Sequence, residues 1–183
     1  ERLNGSWQIM KLDTATSIAT WAEVAAHPHA NLAAAWENVR ALFTNFDAFL
    51  LWGQSNMAGW TDEDVADGYA HPEGVLQYDQ TNSLVDATVP LKHFYRAHPE
   101  FSNHMGMDVQ FSIDYLQKNP NTVLAFIPCA DGGTGFAANQ WGIGNPLYND
   151  TITRVNQFFT DNPNYQLKGI IGSQGESDLN NAN

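Results

Sequence analysis

The chain has 183 residues, and its 8 Lys plus Arg against 20 Asp plus Glu give a formal net charge of -12, which repels phosphate backbones and anionic membranes, so no nucleic acid is expected as a partner. Hydrophobic residues at 43% and aromatics at 12% exclude a disordered chain and allow one sizeable core. No apolar run approaches the roughly 20 residues needed to cross a bilayer, so no membrane insertion is expected. Cys129 is the single cysteine, so no intrachain disulfide forms and the redox compartment stays open. The chain begins at Glu1 without Met and stops at "NNAN", and it is expected to be a portion of a longer polypeptide.

Residues 1–45 read as an N-terminal helical appendage or linker. They are rich in Ala and helix-periodic, and Asn31 is placed to cap a helix running to about Phe43. Residues 46–183 read as the main domain. "FDAFLLW" at 46–52 is a continuous apolar run that predicts a buried strand. The stretch 61–104 has little pattern, apart from a second short strand at "GVLQYD", 74–79. "MGMDVQFSIDYLQKN" at 105–119 and "LYNDTITRVNQFFTDN" at 147–162 carry apolar residues near helical spacing, while "NTVLAFIPC" at 121–129 and "LKGIIGS" at 167–173 predict strands. Strands alternating with helices require crossover connections, which gives an α/β fold with a mainly parallel sheet covered on both faces. In such a sheet the reactive crevice lies beyond the carboxyl ends of the strands. Three apolar runs break there into small and polar residues: "GQSNMAG" at 53–59, "IPCADGGT" at 127–134 and "QGESD" at 174–178.

A serine attacks a carbonyl only if a base takes its proton and fixed donors receive the charge that develops on the oxygen. Ser55, just past a strand and at the start of a helix, meets the geometric half of that demand; it equally suits an N-cap. Gly106 lacks a Cβ and lets a substrate come close to backbone N–H. Gln174 offers a side-chain amide as an oxyanion donor and Glu176 a carboxylate to orient a partner, although a solvated loop explains both.

The three motifs, in this order and together with Gly106, resemble the SGNH hydrolase superfamily, and within it the carbohydrate esterases of the sialate O-acetylesterase and acetylxylan esterase type. The resemblance runs from about Phe46 to Asp178. It implies a flavodoxin-like three-layer α/β/α domain, incomplete at its C-terminal end. It also implies Ser55 as nucleophile, with an oxyanion hole made by the Ser55 N–H, the Gly106 N–H and the Gln174 side chain. Asn56 would brace the turn, Glu176 would support the site through hydrogen bonds, and Gln54, Gly132, Gly133 and Thr134 would shape the substrate side. At the Gln174 position the superfamily more often has Asn.

The family takes its base from an Asp-x-x-His motif downstream of the Gln-Gly-Glu block, and no such motif follows in this chain. His27, His29, His71, His93, His98 and His104 all lie upstream of that place. Either the base belongs to residues after Asn183, the favoured reading, or the protein has lost it and kept a sugar-binding shell. The His27–His29 pair lacks further ligands, the acidic run at 62–67 is wrongly spaced for calcium, and the Gly-rich loop at 132–135 lacks the Lys of a phosphate cradle. No metal and no cofactor are therefore expected. Cys129 reads as a small buried hydrophobe, and Trp52, Trp60, Phe136 and Trp141 border the crevice as core or as sugar-stacking groups.

The sequence thus predicts a serine esterase that removes O-acetyl groups from a carbohydrate such as sialic acid, xylan or a bacterial surface polysaccharide, through an acyl-enzyme. The alternative is a non-catalytic carbohydrate-binding or structural module of a homo-oligomer or larger assembly, such as a virion or cell-surface fibre. An extracellular, cell-surface or virion-associated setting is favoured.

Overall fold

The computed structural model describes residues 45–60, 68–94 and 105–179, together with the short strand residues 2–3, 6–7, 9–10 and 18–19. The chain divides into two compact units, Glu1–Thr44 and Asn45–Asn183. In the first, β1 (Arg2–Leu3) pairs antiparallel with β2 (Ser6–Trp7), and β3 (Ile9–Met10) with β4 (Ile18–Ala19). The expected helix at 31–43, the acidic run at 62–67 and His27, His29, His98 and His104 lie outside the described residues.

The second unit runs β5 (Asn45–Gly53), α1 (Ser55–Ala58), β6 (Val75–Tyr78), β7 (Leu84–Asp86), α2 (Asp108–Lys118), β8 (Thr122–Pro128), α3 (Pro146–Asp161), β9 (Gln166–Ser173) and α4 (Glu176–Leu179). Its five-stranded sheet has the order β7-β6-β8-β5-β9. β5 lies parallel between β8 and β9, β6 is parallel to β8, and β7 alone is antiparallel. The sheet is thus α/β and mainly parallel, as the alternation of runs predicts. The sequence pattern gives no signal for β7. It is three residues long with one exposed end, and the turn before it is set by the Asp79 carboxylate, which accepts from the N–H of Thr81 at 2.8 Å and of Ser83 at 3.1 Å.

Successive side chains on a strand point to opposite faces, and the buried strands fill both. On one face, Phe49 and Leu51 of β5 join Leu124 and Phe126 of β8 under Phe111, Tyr115 and Leu116 of α2. On the other, Ala48 and Leu50 join Ala125 and Ile127 under Val155, Phe158 and Phe159 of α3. Such two-sided burial explains why β5 and β8 read as unbroken apolar runs rather than alternating ones. Arg154 of α3, buried and with no ion pair to an acidic side chain among the described residues, donates from its guanidinium to Tyr78 O, to Asp79 O at 2.7 Å and to Asn82 Oδ1 at 2.5 Å. Those bonds pin the carboxyl end of β6 to the helix layer.

Candidate active site

The three polar breaks meet. Gly53 ends β5 at φ +136°, in register with Ser173 of β9, and a Cβ there would overlap the Ser173 carbonyl. A side chain is excluded both by the backbone conformation and by the neighbouring strand. Because the strands approach so closely, Gln54 N donates to Ser173 O at 3.0 Å, while Cys129 N donates to Leu51 O at 2.7 Å and Asp131 N to Gly53 O at 2.9 Å. The tips of β8, β5 and β9 are therefore laced together by main-chain bonds at one end of the sheet.

Ser55 is the first residue of α1, and Gln54 holds the position before it without a side-chain capping bond. The N-cap explanation of Ser55 thus fails on geometry. A Cβ added to Gly132 would lie 3.8 Å from Ser55 Cβ, which places the Gly132–Gly133 turn directly beside the serine. Gly133, at φ +75°, has open space where its side chain would be. Gly59 closes α1 in a left-handed conformation, and a Cβ on it would come within 2.8 Å of Gly106 N. The Gly106 main chain is thus packed against the serine turn. Gly106 does not itself open a helix, since α2 begins at Asp108.

Gln174 lies among the three loops. Its Nε2 donates to Thr134 O at 2.7 Å and to Gln54 Oε1 at 3.3 Å, and the Ser177 N–H also donates to Gln54 Oε1 at 3.3 Å. Both amide protons are committed, so in this arrangement Gln174 braces the three loops against each other. Gln54, buried at the centre, is the shared acceptor. Asn56 Nδ2 donates to Glu176 Oε1, joining the serine turn to the first turn of α4. Glu176 Oε2 is buried and has no hydrogen-bond partner among the described residues. A buried carboxylate oxygen left unpaired is costly.

Several participants escape a reading of the sequence. Asp178, inside the quoted "QGESD" but given no role there, accepts from Ala137 N at 2.8 Å and lies against Gly135. Asp108 lies over Gly106 and stands 3.0 Å from His71 Nε2, with both side chains 3% exposed; His71 Nδ1 is 3.3 Å from Ser112 Oγ. His93 accepts the Ala130 N–H on Nδ1 at 2.9 Å, and burial, helped by the nearby Arg154 charge, lowers its pKa to about 4 against an opposing pull from Asp108. Such a ring stays neutral and fixed. Only the contact partners, far apart in sequence, identify these groups. Burial pushes the Cys129 thiol up to about 11, so it is no nucleophile. Among the described residues no cluster of three His, Cys, Asp or Glu is arranged to hold a metal ion, and no helix is long and apolar enough to cross a membrane.

The four aromatics divide. Trp141 is buried, donates from Nε1 to Thr134 Oγ1 at 2.8 Å and packs on Trp52 with ring centroids 5.4 Å apart. Trp60 and Phe136 are about half exposed, at 47% and 48%.

Comparison with known proteins bears on the family and the fold. The family model for carbohydrate esterase, sialic acid-specific acetylesterase, matches residues 45–183. Over 105 residues the chain is 28% identical to a probable 9-O-acetyl-N-acetylneuraminic acid deacetylase of Escherichia coli (strain K12), covering 45% of this chain and 32% of that protein. The chain thus spans about a third of that relative's length. Among solved structures, a protein from Arabidopsis thaliana aligns with TM-score 0.60 at 23% identity, covering 73% of this chain and 58% of that one. NanS aligns with TM-score 0.60 at 20% identity, covering 74% and 55%. At these identities the likeness is one of fold.

Proposed function

From the premise that the chain belongs to the sialic acid-specific acetylesterase family of carbohydrate esterases, we propose that it supplies the nucleophile and oxyanion elements of a serine esterase that removes O-acetyl groups from a sugar. The observation that carries this reading is the meeting of three strand tips around Ser55, whose Oγ has no hydrogen-bond partner among the described residues.

In the proposed reaction Ser55 Oγ adds to the acetyl carbonyl as an imidazole removes its proton. The negative charge that builds on the carbonyl oxygen is received by the N–H of Ser55 and the N–H of Gly106, whose chain is held against the serine turn by the Gly59 contact. Collapse breaks the ester C–O bond, and the imidazolium returns the proton to the departing sugar hydroxyl. Water, deprotonated by the same imidazole, then releases acetate and restores Ser55. Gln174 serves by bracing Gln54 and Thr134 rather than as an oxyanion donor, because its amide protons are already used. Gln54, Asn56, Gly132, Gly133 and Thr134 form the walls of the site. Glu176 Oε2 is the acceptor that orients the imidazole through its other nitrogen.

Neither described histidine near the sheet supplies that base: His71 is held by Asp108 and Ser112, and His93 by Ala130. The base is assigned to the Asp-x-x-His element that the family resemblance implies. The same observation favours a second reading, a sugar-binding module that no longer hydrolyses. Acetate release from O-acetylated sugars, measured for the full-length protein and for its Ser55→Ala variant, decides between them. Loss of activity in the variant supports the esterase; equal rates remove Ser55 from the mechanism.

A further inference from the structure

Phe136 stands on the loop whose Gly132 lies beside Ser55, and nearly half of its surface meets solvent. An exposed Phe forgoes hydrophobic stabilisation, and here its ring also packs on an aromatic neighbour. Its ring stands edge-on to Trp52 at 6.1 Å and 80°; Trp52 packs on the buried Trp141, and Trp141 is tied to Thr134. On the chain, the residues flanking Phe136 are both seated on Asp178: Gly135 by close approach and Ala137 through its N–H at 2.8 Å. Asp178 shares the short α4 with Glu176, which bonds Asn56 of the serine turn. The ring's loop is thus connected to the serine turn through two separate sets of contacts.

Sugars present flat arrays of C–H bonds that pack on aromatic faces, and a pre-ordered ring spends little entropy on binding. We propose that Phe136 is the stacking platform for the sugar ring that carries the acetyl ester, a specificity role that rests on the carbohydrate reading above but requires no catalysis. Core packing accounts for Trp52 and Trp141 and leaves the outward half of Phe136 without a structural use.

The test titrates the full-length protein with two probes, an O-acetylated neutral methyl glycoside and an O-acetylated sialoside, by calorimetry and by saturation-transfer NMR. At least one probe is expected to bind, with saturation strongest on the ring protons of one sugar face. Phe136→Ala and Phe136→Leu are expected to weaken binding by about tenfold, while Phe136→Tyr keeps it; melting temperatures confirm that each variant folds. Absence of binding by both probes overturns the platform, as does unchanged affinity in Phe136→Leu, which keeps apolar bulk but no π face. Acetate release by Ser55→Ala separates the two readings: a lost platform with intact Ser55-dependent hydrolysis leaves the esterase standing, and a working platform with no such hydrolysis leaves the binding module.

Discussion

Asn56 and Glu176, 120 residues apart, are joined by a side-chain hydrogen bond in which the amide Nδ2 donates to Oε1. The bond ties the serine turn to α4, and Oε2 has no hydrogen-bond partner among the described residues. Glu176→Gln retains a partner for Asn56 but removes the charge that stabilises an imidazolium. It is expected to lower the acetate-release rate by about 10–100-fold, the value of a hydrogen bond to a charged group, with a small change in KM. Asn56→Asp sets two carboxylates together and should lower the melting temperature at neutral pH, with recovery in acid as the pair shares a proton. Steady-state kinetics and a melting series check both, and a Glu176→Gln enzyme as fast as the parent sinks the orienting role.

Gly59 ends the serine turn in close approach to Gly106. At φ +89° an alanine is strained, and its Cβ would meet Gly106 N at 2.8 Å. Backbone strain and displacement together should cost about 2–4 kcal/mol, read from urea unfolding of Gly59→Ala. The rate should fall as well, because the Gly106 N–H moves away from the serine. A loss below about 0.5 kcal/mol would mean that the loop yields freely.

The sheet was legible because β5 and β8 are buried on both faces, and such strands appear in sequence as unbroken apolar runs. The cluster around Ser55 was legible because small and polar residues interrupt those runs where a parallel sheet opens its crevice. β7 was not, since a three-residue edge strand carries no periodicity. The roles of Gln174, Asp178 and the Asp108–His71 pair were hidden for a different reason. Each depends on a partner distant in the chain, such as Thr134 for Gln174 and Ala137 for Asp178, and a residue type alone does not disclose whether its protons are already used.

His93 provides a pH-dependent contribution with a definite sign. Its folded pKa lies near 4, below the ordinary 6.5, chiefly because the ring is buried. Above pH 6.5 the neutral ring is free of penalty. As the pH falls from 6.5 toward 4, the unfolded chain takes up a proton that the folded ring refuses, so stability drops by about 3 kcal/mol across that window. Protonation of Nδ1 also breaks its bond with the Ala130 N–H, next to the loop that carries Gly132. An NMR titration should show His93 neutral at pH 5–6, and the acid slope of stability should be shallower in His93→Gln. A ring that titrates near 6.5 contradicts this account.

Electrostatics should separate charged from neutral substrates. The chain carries a net charge of -12, and Glu176 and Asp178 occupy the short helix bonded to the serine turn and the aromatic loop. An acetylated sialoside brings a carboxylate into that field, while a neutral acetylated glycoside does not. Raising the ionic strength from about 0.01 M to about 0.1 M shortens the Debye length from roughly 30 Å to roughly 10 Å. The kcat/KM for the sialoside should then rise severalfold, with the neutral substrate unaffected, because only the anion is relieved of repulsion. A sialoside rate that instead falls with salt would show that a cation close to the site outweighs the acidic surface.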